Sequence, residues 1–346
     1  MTVLSPNLKR IFTAFILVSF TYLGYVVFWS EQNDFVDYKV KIKDIASYVI
    51  LASQLGGKVV LDIYNERTAN LNIKSKGTLD VGIAELFTDA DVNSNAIMVK
   101  ILTRLPNIKI ISEEKEPSAT GFNPDKYENL RKPLWESMKE ALNQMPEDQF
   151  DVSKLNVWID PLDATQEYTE GLNEYVTTMG CVTYNGEPIF GVIYRPFFNE
   201  TIIGYSFGDT KFGARKVYNG KITVETWSDA PKRVVVSRSH AGDVKKLVEN
   251  ALGSDYTVEP AGGAGYKVLR LLNGTASHYI HSTTIKKWDT CAGHALLKSV
   301  GGDILTFDGS PIEYTVNSEE DVYSRKGLVA AITNPYTTAK SIRKVA

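Results

Sequence analysis

The chain has 346 residues, with 38 Lys and Arg against 41 Asp and Glu and a formal charge of −3. That length suits one large domain or two moderate ones around a proper core. No strongly basic field is present, so nucleic acid is not an expected partner. The two cysteines, Cys181 and Cys291, are too few for a disulfide framework and lack partners at zinc spacing; both are expected as buried free thiols.

Residues 1–10 read as a short tail, 11–30 as a membrane anchor and 31–39 as a stem. Ile11 to Trp29 holds no charged residue and at helical rise spans roughly 28 Å, about a bilayer core. Tyr22, Tyr25 and Trp29 crowd its second half, as interfacial aromatics do. The exit Phe28-Trp29-Ser30-Glu31 lacks a small-x-small cleavage pattern, which favours an uncleaved anchor over a signal peptide. Lys9 and Arg10 precede it and Glu31, Asp34 and Asp37 follow, although Lys39, Lys41 and Lys43 come soon after. This balance places the amino terminus in the cytosol. The sequons at Asn199 and Asn273 would be usable only in the secretory lumen. The expected topology is therefore a single-pass type II protein with a lumenal body.

In the body, Ile42, Ile45, Val49, Ala52, Leu55, Val59 and Ile63 recur at three- and four-residue steps, predicting a long helix over 40–66. Gly56-Gly57 within it implies a closely packed neighbour. A helix from near Asp91 to Leu102, a strand over 107–112 ending in Glu113-Glu114, a loop over 117–124 and a polar helix over 127–145 follow. An apolar run then opens a strand at Val157. After Thr165, β signals flank the hairpin turns Asn185-Gly186 and Asn219-Gly220, predicting an antiparallel sheet covered by the preceding helices. From about Lys232 strands and helices alternate, so 40–230 reads as an α+β subdomain and 231–346 as an α/β subdomain.

The segment Asp160-Pro161-Leu162-Asp163 delivers two carboxylates at a strand end, with the Leu162 carbonyl as a further oxygen between them. Ala164 and Thr165 then open a helix start that could face a phosphate. Asp91, Glu113 and Asp289 also stand at predicted strand ends or helix starts. Ligands converging from separate elements build oxygen-rich cation sites, and magnesium keeps waters and substrate phosphate beside few carboxylates. Each residue also has a plainer reading. The acids and His240 could be caps or solvated turns, Lys267 a solvated first-turn lysine, and the glycines of 262–265 an ordinary turn.

Glu113-Glu114, Trp158-Ile-Asp-Pro-Leu-Asp-Ala-Thr165 and Trp288-Asp-Thr-Cys-Ala-Gly293 resemble, in this order, the three signatures of the inositol monophosphatase superfamily. Thr88-Asp-Ala-Asp91 resembles the segment ahead of the first, and the likeness runs from about Val40 to the C-terminus. Ser237-Arg-Ser-His240 and Gly262-Gly-Ala-Gly-Tyr-Lys267 make the chain most similar, within the superfamily, to the 3′(2′),5′-bisphosphate nucleotidases. The apolar span narrows the likeness to Golgi-resident members. The resemblance implies a layered α-β-α-β-α sandwich preceded by one N-terminal transmembrane helix. It also implies two or three Mg²⁺ ions held by Glu113, Asp160, Asp163, Asp289 and the Leu162 carbonyl. Asp91 and Thr165 would take a proton from the attacking water, and Ser237, His240, Gly263 and Lys267 would hold a nucleotide bisphosphate.

The activity so implied is a lithium-sensitive phosphatase of the Golgi membrane. It would hydrolyse the 3′-phosphate of 3′-phosphoadenosine 5′-phosphate (PAP) in the lumen to give AMP, removing a by-product of sulfotransferases. The alternative is an inositol phosphate phosphatase with the same metal chemistry. A membrane-tethered scaffold without catalysis finds no support, since every expected ligand position holds an acid. Ser112 stands where the superfamily often has glycine, a change that is tolerable unless the backbone there needs φ > 0.

Overall fold

The computed structural model describes residues 13–24, 38–66, 73–78, 84–115, 118–119, 121–224, 230–238 and 241–345. It comprises two units, Met1–Lys39 and Val40–Ala346. In the first, α1 (Thr13–Gly24) is an apolar helix with Phe15, Leu17, Phe20 and Leu23 all exposed. The remainder of the expected anchor, at 11–12 and 25–30, lies outside the described residues. The one described helix long and apolar enough to cross a membrane is α2 (Ile42–Glu66), and 72% of its most apolar window is buried inside the protein. It is a core helix, as its three- and four-residue apolar spacing requires.

The second unit is built in five layers. α2 and α3 (Asp89–Leu102) pack together on one face of a seven-stranded sheet. The sheet runs β1 (Lys109–Ser112), β2 (Leu155–Asp163), β3 (Thr177–Tyr184), β4 (Glu187–Arg195), β5 (Glu200–Phe207), β6 (Thr210–Tyr218) and β7 (Lys221–Val224), neighbours in that order. On its other face lie α7 (Ala264–Leu272) and α8 (Lys287–Ser299). These also cover a five-stranded sheet of β8 (Arg233–Ser237), β9 (Thr257–Ala261), β10 (His278–His281), β11 (Asp303–Leu305) and β12 (Leu328–Ala331), ordered β9-β8-β10-β12-β11. α6 (Ala241–Leu252) and α9 (Pro335–Arg343) close the outer face. The layered sandwich is thus present in the body.

Gly56 and Gly57 are buried where α2 meets α3 and β4. A Cβ at Gly56 would stand 2.6 Å from Ser94 Oγ, and one at Gly57 would stand 2.4 Å from the Tyr194 ring. The first sheet is mixed rather than purely antiparallel, because β1 joins β2 in parallel. The connection between them carries α4 (Arg131–Asn143), the kind of crossover a parallel pair needs. The second sheet is mixed as well: β8 is parallel to β9 and β10, whereas β12 is antiparallel to β10 and β11. A two-stranded ribbon, Lys74–Thr78 with Ala84–Phe87, has no counterpart in the sequence reading. The expected helix over 127–145 divides into a 3₁₀ turn, Pro124–Leu130, and α4.

Cys181 of β3 and Cys291 of α8 form a disulfide with Cα atoms 5.7 Å apart, which overturns the reading of both as free thiols. The partners are 110 residues apart in sequence, and only the seating of α8 on the first sheet brings them together.

Candidate active site

The parallel register pairs Ile111 with Trp158 and Ser112 with Ile159, so Glu113 and Asp160 leave the sheet at the same edge. The Glu113 N–H donates to the Ile159 carbonyl at 3.4 Å, holding the two ends together. Pairing with β3 is irregular between Asp160 and Asp163, where Pro161 offers no donor. There Asp160 Oδ1 accepts from the Leu162 N–H at 3.1 Å. Ala164 turns the chain at φ 74°, a left-handed conformation unusual for a residue with a side chain, and α5 (Thr165–Glu170) begins.

That turn delivers the Thr165 hydroxyl to Asp91. Thr165 Oγ1 lies 2.8 Å from Asp91 Oδ1 and 3.2 Å from the Leu162 carbonyl, so its single proton favours the shorter, charge-assisted contact. Asp91 is the third residue of α3 and forms a capping box with Thr88. Its Oδ2 accepts from the Thr88 N–H at 2.6 Å and the Thr88 hydroxyl at 2.8 Å. Helix capping thereby fixes one oxygen and leaves the other for Thr165. Burial, with the Glu113 charge adding to it, pushes the Asp91 carboxyl up to about 6.

Asp163 is held from the C-terminal part of the chain. Its oxygens accept from the Ala264 N–H at 3.0 Å and the Gly265 N–H at 2.8 Å, at the start of α7, and from Thr177 Oγ1 at 3.1 Å. Gly263 has φ 59° and ψ 135°, and a Cβ there would lie 2.9 Å from Asp163 Oδ2 and 2.7 Å from the Tyr175 carbonyl. Close approach to Asp163 accounts for this glycine. Lys267, one turn along, is buried; its Nζ donates to the Ala261 carbonyl at 3.2 Å and stands 5.2 Å above the Tyr279 ring. Burial lowers its pKa, against the opposing pull of Asp163. Ser237 ends β8 with Oγ hydrogen-bonded to His281 Nδ1 at 2.9 Å. His240 lies outside the described residues.

Asp160 is where the acids meet. Burial first, then the charges of Glu113, Asp163, Asp289 and Asp91, raise its carboxyl well above the usual range. The structure therefore gathers the five expected acids. Among the described residues, no three His, Cys, Asp or Glu side chains stand placed to hold a metal ion as they are. The donor set itself is all oxygen and rich in buried negative charge, which suits a hard cation that retains waters and substrate oxygens.

Two neighbours, Lys76 and Lys286, carried no sequence signal. Lys76, on the 74–87 ribbon, places Nζ 3.2 Å from Glu113 and pairs with Glu114 as well. Lys286 Nζ is 3.9 Å from Glu113. Glu114 is buried, and burial together with the Glu113 charge pushes it up to about 7. Arg238 pairs with Glu167 at 2.9 Å and Glu170 at 2.7 Å, tying the end of β8 to α5. Ser112 lies in β1 outside the positive-φ region, and its hydroxyl donates to Asn95 Oδ1 at 2.8 Å, so glycine is not required there. Beside Glu113 opens a cleft of roughly 580 Å³ lined by Lys76, Lys109, Lys286 and Trp288 among others.

Residues 43–346 match the Inositol monophosphatase family. The chain is 41% identical to Inositol monophosphatase 3 of Danio rerio over 292 residues, 80% of this chain and 78% of that protein. It is 40% identical to the Golgi-resident adenosine 3',5'-bisphosphate 3'-phosphatase of Mus musculus over 287 residues, 80% of this chain and 75% of that one. Among solved structures, CysQ from Bacteroides thetaiotaomicron has a similar fold, with TM-score 0.60, 20% identity and coverage of 84% of this chain and 98% of its own. With signatures, layers and acid cluster in agreement, the chain belongs to the inositol monophosphatase family.

Proposed function

We propose that this protein is a divalent-cation-dependent phosphatase that removes the 3′-phosphate of PAP, giving AMP and phosphate. The observation that carries the reading is the Thr165–Asp91 hydrogen bond of 2.8 Å, set beside the acids that converge on Asp160. Glu113, Asp160, Asp163, Asp289 and the Leu162 carbonyl would hold two or three Mg²⁺ ions. Bound there, the cations would neutralise phosphate oxygens and make the attacking water more acidic.

The chain's own groups do the rest. Thr165 orients the water and hands its proton toward Asp91, whose burial raises its affinity for a proton. The N–H groups at the start of α7 fix Asp163, so the acid at the end of β2 keeps one orientation. Ser237, His240, Gly263 and Lys267 would recognise the nucleotide. The relative from Mus musculus supports a nucleotide substrate, and the one from Danio rerio keeps an inositol phosphate as the second reading.

We place the body in the Golgi lumen, anchored by the apolar segment that includes α1. The disulfide supports an oxidising compartment. Both sequon asparagines are exposed, and Asn273 Oδ1 already accepts from the Thr275 N–H at 3.1 Å in an open turn. The deciding experiment assays the purified protein with Mg²⁺ on PAP, its sulfated precursor and inositol 1-phosphate. Phosphate release from PAP that stops with EDTA and falls with Li⁺ is expected. Cleavage of the inositol phosphate in preference to PAP would replace the first reading with the second. Protease protection of the body in sealed vesicles tests the topology.

A further inference from the structure

The Cys181–Cys291 disulfide occupies a particular place in the site's architecture. The register runs Ile111, Trp158, Cys181 and Gly191 side by side across β1, β2, β3 and β4. Two residues beyond Ile111 is Glu113, and two beyond Trp158 is Asp160. From the other side, Cys291 of α8 is bonded to Cys181, and two residues before it is Asp289. Next to the bond, α8 touches the sheet directly: a Cβ on Gly191 would lie 2.3 Å from the Ala292 carbonyl. The first turn of α8 is also anchored by the Tyr314 hydroxyl, which donates to Thr290 Oγ1 at 3.1 Å, so the bond acts on a helix start already seated. Both cysteines are buried in the core shared by the first sheet and α8.

We infer that this disulfide is a positioning pin for the acid cluster: it fixes the helix that carries Asp289 against the strands that carry Glu113 and Asp160. The inference rests on the reading of these acids as one cation site. The pin is set once, during folding, because in the folded protein the sulfurs are shielded from reductants. Oxidation of the two thiols forms the S–S bond and passes two electrons and two protons to a disulfide-type oxidant, which becomes a dithiol. Ligand groups lose affinity when the framework behind them loosens, even if none of the ligands changes.

The test compares wild-type protein with Cys181→Ala/Cys291→Ala and with wild type refolded so that both thiols stay reduced. Mn²⁺ binding is read from the paramagnetic signal of the free ion, and the fold from circular dichroism. Thiol titration of denatured wild type should find no free thiol; two free thiols would overturn the inference. In the double variant, Mn²⁺ affinity should weaken about tenfold with the native spectrum retained. The Mg²⁺ concentration for half-maximal activity should rise in parallel, while kcat at saturating Mg²⁺ changes little. Should the double variant not fold, wild type refolded from denaturant in excess dithiol, with both thiols kept reduced, takes its place and should show the same loss. Affinity unchanged in a folded protein that lacks the bond rejects the pin. Loss of affinity in a protein that does not cleave PAP would leave the pin standing and reject the substrate instead.

Discussion

Gly263→Ala separates the need for a special backbone from the need for space beside Asp163. The residue sits at φ 59° and ψ 135°, where a side chain costs about 1–3 kcal/mol. The new methyl must also displace Asp163 Oδ2, 2.9 Å away, or the Tyr175 carbonyl, 2.7 Å away. Crowding of that kind adds about 1–3 kcal/mol. The sum, about 2–6 kcal/mol, is a large part of an ordinary domain's stability. Gly220 is the control: it has φ 73° in the β6–β7 turn, and a Cβ there meets nothing within 4 Å. Gly220→Ala should cost about 1–2 kcal/mol and leave activity intact. Urea denaturation gives the two costs, and the Mg²⁺ dependence of turnover shows whether Asp163 has moved. If Gly263→Ala cost no more than Gly220→Ala and kept full activity at low Mg²⁺, close approach to Asp163 would not be the reason for the glycine.

Asp160→Asn should abolish turnover while leaving the metal-free protein at least as heat-stable as wild type, because the amide removes a buried charge that four neighbouring acids oppose. Mg²⁺ at about a hundred times its dissociation constant should stabilise wild type by about 2.7 kcal/mol; the same gain in the variant would reject Asp160 as a ligand. Thr165→Val should lower kcat by about 10²–10⁴ with little change in metal affinity, and near-normal kcat would remove the hydroxyl from the proton path. Away from the site, burial pushes His278 down to about 4, with Ser277 and Thr338 hydroxyls on its two nitrogens. Its folded pKa is depressed, so the stability it provides is complete above the unfolded value and lost as pH falls toward the folded one. Between pH 7 and pH 5 wild type should lose about 2 kcal/mol more than His278→Gln in urea melts, and parallel losses would show that His278 is not held neutral.

What the sequence made legible was local. The acids of 113, 160–163 and 289 each sit at the end of an element that its own apolar rhythm defines, and all were found where expected. The turns Asn185-Gly186 and Asn219-Gly220 adopt positive φ at all four residues, as hairpins of that composition demand. Gly56-Gly57 announced a close neighbour because glycine in a helix has a cost that packing must offset. The rest depended on packing across long separations. Lys76 lies on a short ribbon whose charged and small residues give no strand rhythm, and its pairing with Glu113 and Glu114 is purely tertiary. The parallel pairing of β1 with β2 left no mark on either strand. Two cysteines in apolar surroundings look alike to a sequence reader whether bonded or free; only the seating of α8 over Gly191 distinguishes the cases.

The position of the acid cluster follows from how the chain divides. Glu113, Asp160 and Asp163 come from the end of the first sheet, whereas Asp289 and the N–H groups holding Asp163 come from α8 and α7. Neither set is a site without the other. One apolar core, including Ile111, Trp158 and Met179 of the first sheet with Val268, Leu271 and Leu296 of the helices, holds them together. Buried carboxylates repel one another, so the assembly persists only because that apolar contact outweighs the repulsion. Lys76 and Lys286 offset part of the charge at Glu113, whereas burial and four neighbouring acids keep Asp160 unfavourable to ionise. The fold thus holds an electrostatic deficit at the point where a phosphate ester would have to be bound. Divalent cations are the partners that would relieve it, since they neutralise several carboxylates at once and still accept phosphate oxygens. Cation binding and the docking of the two sets of elements should therefore be a single coupled equilibrium.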